Sequence, residues 1–215
     1  DVEELADALG IERFAVVGTS GGGPYAAACA YKIPEQLTTV ALIGSVAPLD
    51  APEVRAMLQG RYHRYLPIAR RASWLLRLPL ALRAWRVRRD PERFLPEWVA
   101  PMPEPDRRTL LSAEGIGLLL LEDFVEAFRR DARGVAYEAS LYTNPWGFPL
   151  EAITKEVYLW HGMADAHMPV AMGQYLARTL PNCHATFYPG EGHFSVIFNH
   201  MDKLVDLLNC DGVGM

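Results

Sequence analysis

The sequence predicts an α/β protein in which a parallel sheet is interrupted by a long helical insertion. Short apolar runs alternate with helix-forming runs near both ends of the chain, which is typical of strand–helix–strand units with right-handed crossovers. The middle of the 215-residue chain is instead typical of helices broken by prolines, and no clear strand is predicted there. Half of the residues are hydrophobic, enough to form a substantial core.

The helices and strands of the core are predicted from local residue patterns. A helix over residues 1–9 is predicted because Val2, Leu5 and Leu9 form an apolar stripe that Gly10 ends. The strand over residues 37–43 is almost continuously apolar, as in a strand that is covered on both faces. The other predicted strands are 14–17, 156–160 and 185–188, and the other predicted core helices are 25–32, 170–180 and 194–208.

A glycine-rich turn, VVGTSGGG, occupies residues 16–23 between a predicted strand and a predicted helix. In this context its G-x-S-x-G pattern predicts a nucleophile elbow centred on Ser20. We expect a strained backbone that lifts the Ser20 hydroxyl clear of the sheet. Gly18 and Gly22 are expected to let strand and helix approach closely, because neither carries a Cβ. The N–H of Gly21, at the start of the helix, would face a developing oxyanion.

Two further polar residues follow predicted strands. Asp165 lies just past the strand 156–160, and His193 lies on the loop after the strand 185–188. Catalytic groups of open parallel sheets gather at the carboxyl ends of the strands. A nucleophilic serine needs a base, and the base needs an orienting acid. The order Ser20, Asp165, His193 therefore predicts a catalytic triad.

Other kinds of site fit the motifs less well. A glycine-rich turn before a helix can bind phosphate, but the P-loop lysine is missing and the dinucleotide pattern G-x-G-x-x-G is broken. His161 and His167 flank Asp165 and could be a metal pair. Their spacing across a loop, with no cysteine beside them, favours a structural role. We expect neither a metal nor an organic cofactor.

Three stretches, FAVVGTSGGGPYAAACA, VYLWHGMADAHMPV and FYPGEGHFSV, resemble the α/β-hydrolase family. They are most similar to its esterase-like and proline-iminopeptidase-like members, which carry a helical cap. The resemblance implies a core of residues 1–47 and 155–215 and a cap of residues 48–154. It also implies Ser20 as nucleophile, Asp165 as acid, His193 as general base and the Gly21 N–H as one oxyanion donor.

The activity implied by this resemblance is that of a serine hydrolase acting on small-molecule carboxylic esters. An aminopeptidase or amidase of the same fold is an alternative, although a substrate amine would favour an acidic cap. A dehalogenase or epoxide hydrolase would use aspartate where this chain has Ser20. A binding or assembly module, weakly active or inactive, is the alternative from a different class.

The resembled family has about four strands and a helix before its nucleophile strand, and one of their loops donates the second oxyanion N–H. Here only the helix over residues 1–9 precedes that strand, so we expect the chain to be N-terminally incomplete and slow when acting alone. The strand 14–17 would then be a sheet edge. We expect it to pair with a second copy, as an isologous dimer, or with a chain that supplies the missing strands.

Aromatic residues are expected to line the substrate pocket. Trp146 and Phe148 come just before the predicted return to the core, where cap-to-core packing is the open alternative. Thr19 and Phe194 adjoin two of the predicted catalytic residues and complete the predicted pocket.

Charge is distributed unevenly along the chain. Residues 61–93 hold ten arginines against Asp90 and Glu92, a local charge of +8 in a chain of net charge −5. The arginines alternate with large apolar residues, which is typical of a solvated cationic helix face. Peripheral contact with an anionic membrane or steering of anionic substrates are open alternatives. Nucleic-acid binding is not expected, because the chain is acidic overall and lacks a reading motif. Three scattered cysteines predict a reducing, cytoplasmic setting.

Overall fold

The computed structural model describes residues 1–57 and 61–209. The chain forms two compact units. The core unit comprises Asp1–Ala47 and Gly147–Met215, and the helical unit comprises Pro48–Trp146. The use of the helical unit as a cap stays a prediction.

The elements are numbered in chain order. The strands are β1 (Phe14–Thr19), β2 (Leu37–Ile43), β3 (Val157–Gly162) and β4 (Cys183–Tyr188). The helices are α1 (Val2–Leu9), α2 (Gly23–Lys32), α3 (Pro52–Met57), α4 (Arg61–Ala72), α5 (Arg77–Arg89), α6 (Pro91–Val99), α7 (Glu104–Leu110), α8 (Ile116–Ala127), α9 (Arg133–Tyr142), α10 (Val170–Thr179), α11 (Ser195–Phe198) and α12 (Met201–Asn209). Short 3₁₀ turns occupy Ser20–Gly22, Pro34–Gln36, Ser73–Leu76 and Leu150–Ala152.

The sheet, as far as the described residues show, has four strands, all parallel, in the order β1-β2-β3-β4. The predicted parallel α/β architecture is therefore confirmed. β1 lies at one edge, as expected for the strand that leads to Ser20, while pairing of that edge with another chain stays a prediction. Two strands extend to turn residues that the apolar pattern did not include, so that Thr19 ends β1 and Gly162 ends β3, and β4 begins two residues earlier than predicted, at Cys183.

The sheet core is centred on β2, whose apolar residues are all buried. Alternate residues of a strand point to opposite faces of a sheet. On one face Ile43 and Trp160 pack with Val196 and Leu204 of the last two helices. The neighbouring His161 therefore points to the other face, where it meets Gly173 of α10.

Two further differences from the sequence prediction concern the last helix and the limit of the helical insertion. The single helix predicted over 194–208 is two helices, α11 and α12, and the break coincides with the Asn199 amide donating to the Glu191 carboxylate at 3.1 Å. Residues 147–154, predicted as part of the helical insertion, group with the core unit. The physical reason is burial, because Leu150 and Ile153 are almost fully buried and the 3₁₀ turn Leu150–Ala152 packs against α2 and α10.

The helical unit has its own apolar cluster. Ala84 of α5 packs with Phe128 and Ala132, and Phe124 packs against this group. The Arg88 guanidinium donates to the carbonyl oxygen of Phe128 at 2.9 Å, just past the end of α8. This contact satisfies a backbone acceptor at a helix C-terminus, where a cation is favourable. Over the part of the chain that the structure describes, the helices are too short or too polar to cross a membrane.

Candidate active site

The turn after β1 holds Ser20 in an unusual backbone conformation. Ser20 has φ of 53°, and among the described residues it is the single non-glycine residue with positive φ. Such a conformation costs roughly 1–3 kcal/mol and persists only when its surroundings impose it. The Val46 N–H holds it by donating to the Ser20 carbonyl oxygen at 3.1 Å. The strained elbow predicted from the sequence is present.

The glycines around Ser20 have unequal roles. A Cβ on Gly18 would lie 2.6 Å from the Gly22 carbonyl oxygen and 2.8 Å from the Ala26 Cβ, so Gly18 permits the close strand–helix approach. The same role predicted for Gly22 is wrong, because a Cβ there would meet nothing within 4 Å. Gly23 has that role instead, since a Cβ on it would overlap the buried side chain of Ser45.

Ser20, His193 and Asp165 form one hydrogen-bonded row. The His193 Nδ1 lies 2.7 Å from Asp165 Oδ2, and His193 Nε2 lies 3.0 Å from Ser20 Oγ. Because a carboxylate only accepts, Nδ1 carries the proton, which leaves Nε2 to accept from the serine hydroxyl. His193 and Asp165 are buried, and Ser20 is partly exposed. The three residues predicted from the sequence therefore meet at the carboxyl ends of β1, β3 and β4.

The second oxygen of Asp165 is also bonded. Asp165 Oδ1 accepts from the backbone N–H groups of His167 at 2.8 Å and Met168 at 2.7 Å. Three donors on one buried carboxylate compensate its loss of water and fix its orientation. Asp165 therefore both orders its own loop and orients His193.

His161 contacts the loop that holds Asp165 through the backbone of Met168. Its ring is fully buried, with Nε2 2.8 Å from the Met168 carbonyl oxygen and 3.7 Å from Asp165 Oδ2. The carbonyl is an acceptor, so Nε2 carries the proton. Burial lowers the pKa of His161, although the Met168 hydrogen bond and the Asp165 charge act in the opposite direction. His161 is thus a neutral structural ring, and within the described part of the chain no cluster of metal ligands includes it.

Two more residues enclose the His193 ring. His167 stacks on it with ring centroids 5.0 Å apart, and Phe194 meets it edge-on at 5.1 Å. Gly44, directly after β2, has φ of 53°, and a Cβ there would lie 3.3 Å from His193 Nδ1 and 3.4 Å from Asp165 Oδ2. Gly44 is missed by the sequence argument. Its one local signal is a glycine at the carboxyl end of a predicted strand.

The remaining predicted site residues are spread more widely. Gly21 follows Ser20 in the 3₁₀ turn that leads into α2, where its N–H belongs to a helix N-terminus. Thr19 is exposed at the end of β1. Phe148 stacks on Tyr31 at 5.1 Å, near the far end of α2, so the structure does not bring it to the triad. Trp146, half-buried, is the last residue of the helical unit.

Comparison with known proteins identifies the family of the chain. A family model described as the alpha/beta hydrolase family matches residues 1–207. The chain belongs to the alpha/beta hydrolase family. No curated protein matches this hydrolase-family chain by sequence.

Solved structures share the fold of this alpha/beta hydrolase at low sequence identity. A bromoperoxidase from Bacillus anthracis is 17% identical with a TM-score of 0.65, over 99% of this chain and 72% of that one. A thermophilic esterase from Thermogutta terrifontis is 23% identical with a TM-score of 0.58, over 97% and 71%. A serine hydrolase from Cycloclasticus zankles is 19% identical with a TM-score of 0.59, over 98% and 68%.

Proposed function

We propose that this alpha/beta hydrolase cleaves carboxylic esters through an acyl-enzyme on Ser20. One observation carries the proposal. The row from Ser20 Oγ through His193 to Asp165 has hydrogen-bond distances of 3.0 and 2.7 Å, and its serine has φ of 53° at a strand-to-helix turn. A nucleophile, a base and an orienting acid in this geometry are what acyl transfer to serine requires.

The first half-reaction forms the acyl-enzyme. Ser20 Oγ attacks the ester carbonyl carbon while His193 Nε2 takes the hydroxyl proton, giving a tetrahedral oxyanion. Collapse of this intermediate breaks the bond to the alcohol oxygen, and His193 returns the proton to that leaving oxygen. Asp165 holds Nδ1 protonated and stabilises the imidazolium in between.

The second half-reaction regenerates the enzyme. Water attacks the acyl carbon and gives its proton to His193 Nε2. The second tetrahedral intermediate then releases the carboxylic acid, and Ser20 Oγ recovers the proton from the imidazolium. In both halves the Gly21 N–H, at a helix N-terminus, is the proposed donor to the oxyanion.

Two observations support an ester over an amine-bearing substrate. The helical unit is rich in arginine between residues 61 and 93. An aminopeptidase would instead need acidic groups to bind the substrate amine. One of the solved structures with this fold is an esterase.

The test is turnover of a short-chain aryl ester by the purified chain. We expect Ser20→Ala and His193→Ala each to lower kcat by at least about 10³-fold, because triad members act as a unit. Ser112→Ala is the matched control, since this hydroxyl lies in the helical unit and makes no hydrogen bond to the described residues. Retention of most activity by folded Ser20→Ala would rule out the proposed mechanism.

A further inference from the structure

Helix α5 is apolar on two opposite faces. Its inner face carries Ala84 and Val87, which are almost fully buried in the helical unit. Its outer face carries Leu78, Leu82 and Trp85, which expose 78%, 56% and 52% of their surface. The spacing of four and then three residues places the outer three in a single stripe along the helix.

The stripe continues into the preceding 3₁₀ turn. Trp74 and Leu75 expose 62% and 48% of their surface. An isolated exposed leucine is ordinary in a soluble protein, but a run of large exposed apolar side chains marks an interaction surface. We call Trp74, Leu75, Leu78, Leu82 and Trp85 the α5 stripe.

Arginines border the α5 stripe. On a helical projection at 100° per residue, Arg77 and Arg88 fall on one side of the α5 stripe and Arg86 falls on the other. Arg89 follows the stripe at the end of α5. The Arg89 guanidinium lies 5.4 Å from the centre of the Trp85 ring. Arg88 donates to the carbonyl oxygens of Val125 and Phe128, and Arg86 pairs with Glu97 at 2.9 Å. Arg77 and Arg89 therefore carry the positive charge that the α5 stripe offers to a partner.

We propose that the α5 stripe lies on the surface of an anionic lipid bilayer. Leu78 and Leu82 would enter the boundary of the acyl chains, with the Arg77 and Arg89 side chains reaching the lipid phosphates. Trp74 and Trp85 bound the stripe, and tryptophan prefers the headgroup level of a membrane. The stripe follows one helix and its adjoining turn over about 16 Å, a ridge that suits a planar lipid surface.

The charge distribution favours a membrane over a second copy of this chain as the partner of the α5 stripe. An anionic headgroup layer complements Arg77 and Arg89 at once, whereas the charge of Arg86 is already balanced by Glu97. Two copies joined through the stripe would place these arginines against each other, and like charges at an interface are unfavourable. The proposal is independent of hydrolysis by Ser20, so its test uses binding alone.

The test is flotation of the whole chain with vesicles. We expect binding to phosphatidylglycerol–phosphatidylcholine vesicles at low salt, weaker binding at high salt, and little binding to phosphatidylcholine alone. The variant Leu78→Ser/Leu82→Ser/Trp85→Ser should lose at least about tenfold in partition coefficient. Its matched control, Leu111→Ser/Leu119→Ser/Tyr137→Ser, changes three comparably exposed residues off the stripe and should bind normally.

A second pair of variants tests the charge. Arg77→Gln/Arg89→Gln should lower partition by about tenfold, because each basic residue near an anionic surface adds to binding. Arg107→Gln/Arg108→Gln removes the same charge from a pair that contacts Glu104 and should have little effect. Circular dichroism melts of every variant check that it is folded.

Three results would overturn the proposal. The first is failure of the folded wild type to bind anionic vesicles at low salt. The second is binding that the stripe variant retains in full. The third is a wild-type dimer in light scattering that the stripe variant dissociates, without any vesicle binding, which would make the stripe a self-association surface.

Discussion

The ring of His161 packs so closely against Gly173 that a Cβ on the glycine would lie 2.6 Å from Nδ1 and 2.8 Å from Cγ. The same ring reaches the Met168 carbonyl oxygen with its other nitrogen. Through this contact α10 supports the loop that holds Asp165, whose Oδ1 accepts from the Met168 N–H. The position of Asp165 in the triad thus depends on Gly173 of α10.

Gly173→Ala should therefore destabilise the fold by about 1–3 kcal/mol, since the buried ring has little room to move. The matched control is Gly134→Ala in α9, where a Cβ would meet nothing within 4 Å. That change should be neutral or stabilising by up to about 1 kcal/mol, because alanine favours a helix more than glycine does. Urea unfolding measures both, and equal stability of the two variants would contradict the packing described for His161.

Burial of His161 makes stability depend on pH. Because its pKa is lowered in the folded chain, the unfolded chain binds a proton at this residue first as the pH falls. Its contribution to stability is complete above about pH 6.5 and is lost progressively below that value. His161→Gln keeps a donor for the Met168 carbonyl oxygen but cannot titrate. Between about pH 7.5 and pH 5.5 its Tm should fall less than that of the wild type. An identical fall would show that His161 does not carry this acid sensitivity.

We expect the backbone conformation that positions the Ser20 hydroxyl to lower the stability of the fold. Its positive φ is unfavourable for any residue with a Cβ and easy for glycine. Ser20→Gly and Ser20→Ala both remove the hydroxyl, so both should be inactive in ester turnover. Thermal unfolding should find the glycine variant more stable than the alanine variant by about 0.5–1 kcal/mol. The reverse order would mean that the elbow is not strained.

Gly44 should matter for activity more than for folding. Both Gly44 and Gly115 have positive φ, so replacing either by alanine should cost roughly 1–2 kcal/mol. Only the Gly44 Cβ would press on the bond between His193 and Asp165. Gly44→Ala should therefore lower kcat by up to about 10²-fold, while Gly115→Ala leaves it unchanged. Equal kcat for the two variants would show that Gly44 does not constrain the triad.

The sequence predicts most of the sheet and the triad for a local reason. Ser20, Asp165 and His193 lie one, three and five residues past the ends of β1, β3 and β4, so the strand pattern also places the catalytic candidates at one edge of the sheet. Their order along the chain then predicts that the three residues form a catalytic triad. No long-range contact has to be known for this prediction.

The residues that the sequence misses or misplaces depend on contacts between distant segments. Gly44 and Gly173 matter only because His193 and His161 pack against them, and neither glycine lies in a motif. Gly22 belongs to the motif, yet a Cβ on it would meet nothing within 4 Å. Phe148 has an aromatic partner on α2 that no periodicity indicates.

The most direct test of the central claim is labelling with a fluorophosphonate probe, followed by mass spectrometry of the digested protein. We expect one phosphonyl group per folded chain, attached to Ser20. We also expect no labelling of Ser20→Ala or His193→Ala and normal labelling of the Ser112→Ala control. A folded wild type that stays unlabelled, or one labelled at a different serine, would contradict the assignment of Ser20 as the nucleophile.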